Sequence, residues 1–218
     1  MQPTRRQLLA GAGAGLATGL AGCSGQLTAE GAAFDAAEVS LAASVQSETG
    51  YSHYRTEDLT VTREFSRFGF SRSVEVTNSV AEYDKAVDLS LLGQRVQAAI
   101  FATLSTPQVD ILGKSFNPVA EMSTREIAGM LQEHYENVND VREDTSFEST
   151  VAGETATVTR FTAAATLVEL GVSVDIYLYV SEAVELGGDF VVGLAAHPRA
   201  FGEERDTVEA LLGGIDHG

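Results

Sequence analysis

From Glu57 onward the chain alternates. Leu59, Val61, Arg63 and Phe65 fall on one side of a period-two pattern, and Asp58, Thr60, Thr62 and Glu64 on the other. That pattern predicts a strand. After Phe68-Gly69 a second run sets Arg72, Val74, Val76, Asn78 and Val80 against Glu75, Thr77 and Ser79. Two alternating runs with a glycine between them predict a β-hairpin. Arg63, on the apolar side, requires a strand end or an acidic partner. Residues 94–106 are apolar on both sides, with Val96, Ala98, Ile100, Ala102 and Leu104 against Ala99 and Phe101. This predicts a central strand covered on both faces, ended by Pro107. Val109 to Leu112 predicts the start of another strand, and residues 113–118 a loop.

Helical spacing marks three other stretches. Residues 36–48 place Val39, Ala42, Ala43 and Gln46 on one face, with Gly50 as the stop. Ser123-Thr124-Arg125-Glu126 fits a capping box. Behind it Ile127, Met130, Leu131, His134 and Tyr135 share one face. From Glu203, Val208, Leu211, Leu212 and Ile215 repeat at helical intervals, loosened by Gly213-Gly214. Between the last two helices lie four predicted strands, at 145–152, 154–169, 172–181 and 189–197. Glu169-Leu170-Gly171 turns the second into the third. The order of elements predicts an α+β fold. It is a mainly antiparallel sheet of about six to seven strands with helices packed on its faces, similar to an α/β/α sandwich.

The first 23 residues follow neither period. Arg5 and Arg6 precede an uncharged stretch, Leu8 to Gly22, made of Leu, Ala, Gly and one Thr, and then Cys23, the sole cysteine. A stretch so short and glycine-rich is a poor spanning helix. Thr4-Arg5-Arg6-Gln7-Leu8-Leu9 looks like a twin-arginine export signal. Leu20-Ala21-Gly22-Cys23 looks like a lipobox, in which cleavage before the cysteine leaves a lipid on its sulfur. The plain alternative is a membrane anchor with an incidental cysteine. The reading therefore divides the chain into a signal peptide at 1–22, a lipidated tether at 23–33, and one globular domain at 34–218. Export would place the domain on the outer face of the membrane.

Composition narrows the partners. Removing residues 1–22 takes away two arginines and no acid, moving the formal net charge from −17 to −19. Lysine occurs only at Lys85 and Lys114. A surface so acidic stays soluble in brine and argues against DNA or RNA as a partner. With Cys23 lipidated, no thiol remains for a disulfide or a nucleophile.

Candidate chemistry is sparse. His53, His134, His197 and His217 show no metal-ligand spacing, and no metal or cofactor is expected. His197 could act as a base only if folding brings it to Asp175 or Asp189. Glu182, Glu185 and Asp189 flank a glycine turn, and Glu203, Glu204 and Asp206 open a helix. Neither set matches a calcium loop, and acids at a helix start suit its dipole. Gly113-Lys114-Ser115 lacks the upstream glycine of a phosphate loop, since position 108 is Gln. Tyr51, Tyr54, Tyr83, Tyr135, Tyr177 and Tyr179 could line a pocket, although Tyr177 and Tyr179 more simply cover one sheet face.

Four segments carry a resemblance: Val76-Thr77-Asn78 through Tyr83-Asp84, Phe101 to Pro107, Gly113 to Pro118, and Thr159-Arg160-Phe161 with Val174 to Tyr177. They resemble haloarchaeal twin-arginine-exported lipoproteins of unknown function. The order of elements is also similar to the PsbP and Mog1 type of sandwich, whose members are accessory or binding proteins. The resemblance implies location and lineage, and no catalytic residue. The expected function is a non-enzymatic binding or scaffolding role, with the membrane as partner through Cys23 and an envelope protein as a second partner. A surface hydrolase using His197 and a single-domain solute receptor stand as the alternatives.

Overall fold

The computed structural model describes residues 26–27, 31–67, 70–89, 94–111, 114–115, 117–134, 138–167 and 171–217. Arg5, Arg6 and the segment Leu20-Ala21-Gly22-Cys23 lie outside the described residues, as do Tyr135 and Gly113. In chain order the elements begin with β1 (Gln26–Leu27), β2 (Gly31–Asp35), β3 (Val39–Leu41) and α1 (Ala43–Thr49). The long strands β4 (Ser52–Arg67), β5 (Phe70–Leu89) and β6 (Gln94–Pro107) follow. A short ladder of β7 (Asp110–Ile111) and β8 (Lys114–Ser115) leads to α2 (Pro118–Glu121) and α3 (Thr124–His134). Then come β9 (Val138–Val151), β10 (Glu154–Leu167), β11 (Val172–Ser181), β12 (Val184–Leu186) and β13 (Asp189–Pro198). A 3₁₀ turn (Arg199–Phe201), α4 (Arg205–Gly213) and β14 (Ile215–His217) complete the series.

The protein is mostly β, built on one large mixed sheet with a few helices. Among the described residues that sheet has ten strands, where the sequence predicts six to seven. Its frame is β4-β5-β6-β13-β11-β10-β9, each strand antiparallel to its neighbours. The surplus comes from three short strands. β2 runs parallel to β5, β1 pairs with β2, and β12 forms a hairpin with the start of β13. Gly187 and Gly188 turn that hairpin, both at positive φ (63° and 98°), as a two-residue turn between twisted strands requires. The small residues of β2 carry no period, so its sequence reads as tether up to Ala33.

Two cores explain the strands that are apolar on both sides. On one face, Tyr179, Val191, Ala195, Phe101 and Tyr83 pack with Val208, Leu211 and Leu212 of α4 and with Val45 of α1. On the other, Leu178, Val180, Val192 and Phe161 pack with Ile127 and Ala128 of α3 and with Val119 of α2. Neighbouring residues of β11 and β13 thus enter opposite cores. Gly193 lets α4 lie close: a Cβ there would collide with Leu212.

Local chemistry fixes the helix ends. The capping box forms as predicted: the Ser123 N–H donates to the Glu126 carboxylate at 2.8 Å and the Glu126 N–H to Ser123 Oγ at 3.3 Å. The first helix is shorter than its period suggests. Val39–Leu41 is extended and pairs with Ile215–His217, because its buried residues, Val39 and Leu41, alternate with exposed Ser40. Ile215 likewise belongs to β14 and not to the last helix.

Candidate functional site

Among the described residues, titratable and aromatic groups gather where β11, β13 and the entry to α4 meet. Alternation puts Tyr177 and Tyr179 on one face of β11, and register sets His197 of β13 directly opposite Tyr177. The imidazole stacks on Tyr179, with ring centroids 5.7 Å apart and planes at 23°. It meets Tyr177 edge-on at 5.9 Å. Arg160 comes from β10, opposite Tyr179 in the ladder. Its guanidinium lies 4.6 Å from the Tyr177 ring centroid and binds Asp144 at 2.7 Å and Glu203 at 2.9 Å. Arg199 lies 5.2 Å from the same tyrosine ring. Arg205 sits 3.9 Å from the ring of Phe147, which itself meets Tyr179.

The chain after β13 is fastened to this cluster. The Tyr179 hydroxyl donates to the Glu203 carbonyl. Glu204 adopts φ 45°, a left-handed conformation rare outside glycine, at the residue before α4, and its side chain makes no capping bond to the helix backbone. The Thr207 hydroxyl donates to its carboxylate at 3.0 Å.

Burial sets the electrostatics. His197 is 3% exposed, and desolvation pushes its pKa below the ordinary value, against the opposing pull of Pro198, Glu203 and Glu204. Nδ1 is 3.3 Å from the Pro198 carbonyl, an acceptor only, so the proton is on Nδ1. Nε2 has no hydrogen-bond partner. Burial raises Tyr179, with Arg160 acting against it, and burial with the nearby Glu204 charge raises Tyr51. Arg160 is itself penalised by burial, yet its bonds to Tyr179, Glu203 and Asp144 raise it overall. The result is a buried imidazole, harder to protonate than a free one, walled by aromatic rings with cations outside the wall.

The structure does not bring His197 to either acid considered for it. Asp189 lies on the same strand eight residues earlier, about 27 Å away along an extended chain. Its carboxylate is 2% exposed and accepts from the Ala37 N–H at 2.7 Å. Asp175 is exposed on β11. The first acidic set is therefore split: Glu182 and Glu185 face solvent while Asp189 turns inward. Glu182 and Glu185, with Glu154, line an open surface cavity of about 510 Å³. Two acids of the second set are engaged, Glu203 by Arg160 and Glu204 by Thr207, and Asp206 is exposed in the first turn of α4. His53 contacts Thr56 at 2.9 Å and the Tyr83 ring. His134 ends α3 and His217 lies in β14 opposite Val39. Among the described residues no three His, Cys, Asp or Glu side chains gather as metal ligands.

Sequence reasoning missed a second feature. Ser79, Thr103 and Ser105 are buried, and their hydroxyls have no hydrogen-bond partner. Ser79 lies directly opposite Ser105, and Thr103 opposite Ala81. The signal available in the sequence was polarity at two alternate positions, Thr103 and Ser105, inside the apolar run of a central strand.

Residues 38–216 match a family described as Domain of unknown function (DUF6517). The chain belongs to this family. The DUF6517 match contains the His197 cluster and the buried hydroxyls and begins after the Leu20-Ala21-Gly22-Cys23 segment. No curated protein matches the chain.

Proposed function

We propose that the protein is a haloarchaeal lipoprotein, exported by the twin-arginine route and held on the outer face of the cell membrane through Cys23, where it binds or scaffolds an envelope partner without catalysing a reaction. The leader supports the address: Arg5-Arg6, an uncharged stretch and Leu20-Ala21-Gly22-Cys23 fall in the order that export and lipidation need. The acidic, lysine-poor composition supports the salty setting. Among the described residues no helix is long and apolar enough to cross a membrane. The observation that carries the non-enzymatic reading is the state of His197. It is buried behind two tyrosines, and its hydrogen-bond contact is a backbone carbonyl, with no carboxylate to orient it. A general base needs reach to a substrate proton and a partner that steadies the imidazolium. Helices on both faces of the sheet support the finer fold reading, an α/β/α arrangement similar to the PsbP and Mog1 type.

Cell fractionation tests the address. Cys23→Ser should move the protein from the membrane fraction into the medium, and Arg5→Lys with Arg6→Lys should hold it inside the cell. A Cys23→Ser protein that stays with the membrane overturns the anchor. Unchanged export of the double lysine variant overturns the route.

A further inference from the structure

The sheet ends at β4 on one side. β4 pairs with β5 along one edge, and among the described residues no strand takes the other. From Ser52 to Thr62 every residue is exposed. They include Tyr54, Leu59 and Val61, at 58%, 50% and 43% exposure. An open edge of this length templates further strand pairing unless it is blunted by charged side chains, lysine above all, by proline or by a bulge. The stretch from Ser52 to Arg67 has neither lysine nor proline, and the bulge between His53 and Arg55 sits at its start. At the middle of the strand Leu59, Thr60 and Val61 carry no charge, and the charges on either side are of both signs.

We propose that β4 is a self-association edge. It pairs antiparallel with β4 of a second copy across a two-fold axis through Thr60, so that two sheets become one. Charge and shape favour this register over the two beside it. Leu59 stands opposite Val61 of the copy, and Val61 opposite Leu59. Glu57 faces position 63, an arginine, and symmetry repeats that pair beyond the axis. Asp58 meets Thr62, and Thr56 meets Glu64. Between positions 55 and 65 no like charges stand opposite each other. Moving the axis to Leu59 sets Arg55 against Arg63, and moving it to Val61 sets Asp58 against Glu64. Opposed like charges disfavour a register, and opposed unlike charges and β-branched pairs favour it. The formal charge of −17 repels two copies at low ionic strength, and about 1 M salt shortens that repulsion to roughly 3 Å. This pairing does not depend on the lipid or on the export route.

Cysteine scanning in whole cells at high salt tests it. Directly opposed Cα atoms of an antiparallel pair are about 4.5–5.5 Å apart, a span that a disulfide closes. Full-length Thr60→Cys should therefore give a covalent dimer on treatment with a thiol oxidant, at least about ten-fold above the parent chain, whose Cys23 sets the background. Two cysteines at position 58 would sit four residues out of register, about 13 Å apart, so Asp58→Cys should remain at background. Adding Glu57→Arg or Arg63→Glu to Thr60→Cys should abolish the dimer, and adding both should restore it. The double swap does not restore the Glu57–Arg55 ion pair of 2.7 Å, so recovery reports the contact between copies. Dimer at background for Thr60→Cys, equal dimer for Asp58→Cys, or no recovery in the double swap would each overturn the proposal.

Discussion

Arg160 is the joint of the His197 cluster, and Arg160→Met measures what the joint contributes. Methionine keeps most of the stem, which lies in a side chain only 11% exposed, and removes the charge. Asp144 and Glu203 are 38% and 61% exposed, so both carboxylates return to water once released. Each ion pair is therefore taken as about 0.2–1 kcal/mol after screening. The cation over Tyr177, 4.6 Å from its centroid and largely desolvated, adds about 1–2 kcal/mol. The expected loss is about 1.5–4 kcal/mol. For a chain of this size, with a urea slope of roughly 2–3 kcal/mol/M, the midpoint falls by about 1 M. The chain has no tryptophan, so far-ultraviolet circular dichroism is the suitable probe. Salt separates the two contributions. Between about 0.1 and 1 M the screening length drops from roughly 10 to 3 Å, so the ion-pair share shrinks while the ring contact persists. A loss under about 0.5 kcal/mol, far below the sum of these contacts, would refute the reasoning; so would one that grows with salt.

Two further outcomes follow from burial. His197 holds its pKa below the ordinary 6.5, so the unfolded chain takes up a proton that the folded chain refuses. Stability should fall as pH drops from about 6.5 toward the folded pKa and level off below it; His197→Phe should flatten that part of the profile, and equal slopes in urea titrations between pH 7.5 and 5 would refute it. Ser105 is fully buried with an unpartnered hydroxyl, so Ser105→Ala should raise stability by about 1 kcal/mol and the melting temperature by roughly 2–4 °C. A measurable drop in melting temperature would show that the hydroxyl is satisfied in solution.

Much of the sheet was legible because alternation is a local signal. β11 and the hairpin of β4 and β5 follow it closely, and Ser123 with Glu126 announced the start of α3 four residues at a time. β12 and β3 were not legible, since three residues cannot establish a period. β3 takes its structure from a partner far along the chain, Ile215 opposite Leu41, and β12 from the neighbouring start of β13. The His197 cluster was half visible. Tyr177 and Tyr179 read correctly as one face of a strand. That His197 lies against them depends on the register between β11 and β13, and that Arg160 completes the set depends on a third strand. No spacing in the sequence encodes those registers. The same limit misled the pairing of His197 with Asp189, which are near in sequence but at opposite ends of one extended strand.

The place of β13 has a consequence for how the molecule is made. β4, β5 and β6 are neighbours in sequence and in the sheet, and so are β9, β10 and β11. Each group can assemble locally and early, as short-range pairings do. β13 is synthesised after both and lies between β6 and β11, so two half-sheets wait with open flanks for the strand that joins them. During that interval, the β13 of a neighbouring chain would fit the gap as well as the molecule's own. Crowded synthesis should thus yield strand-swapped pairs. These would be covalently unremarkable, correctly paired at every ladder, and separable only by unfolding.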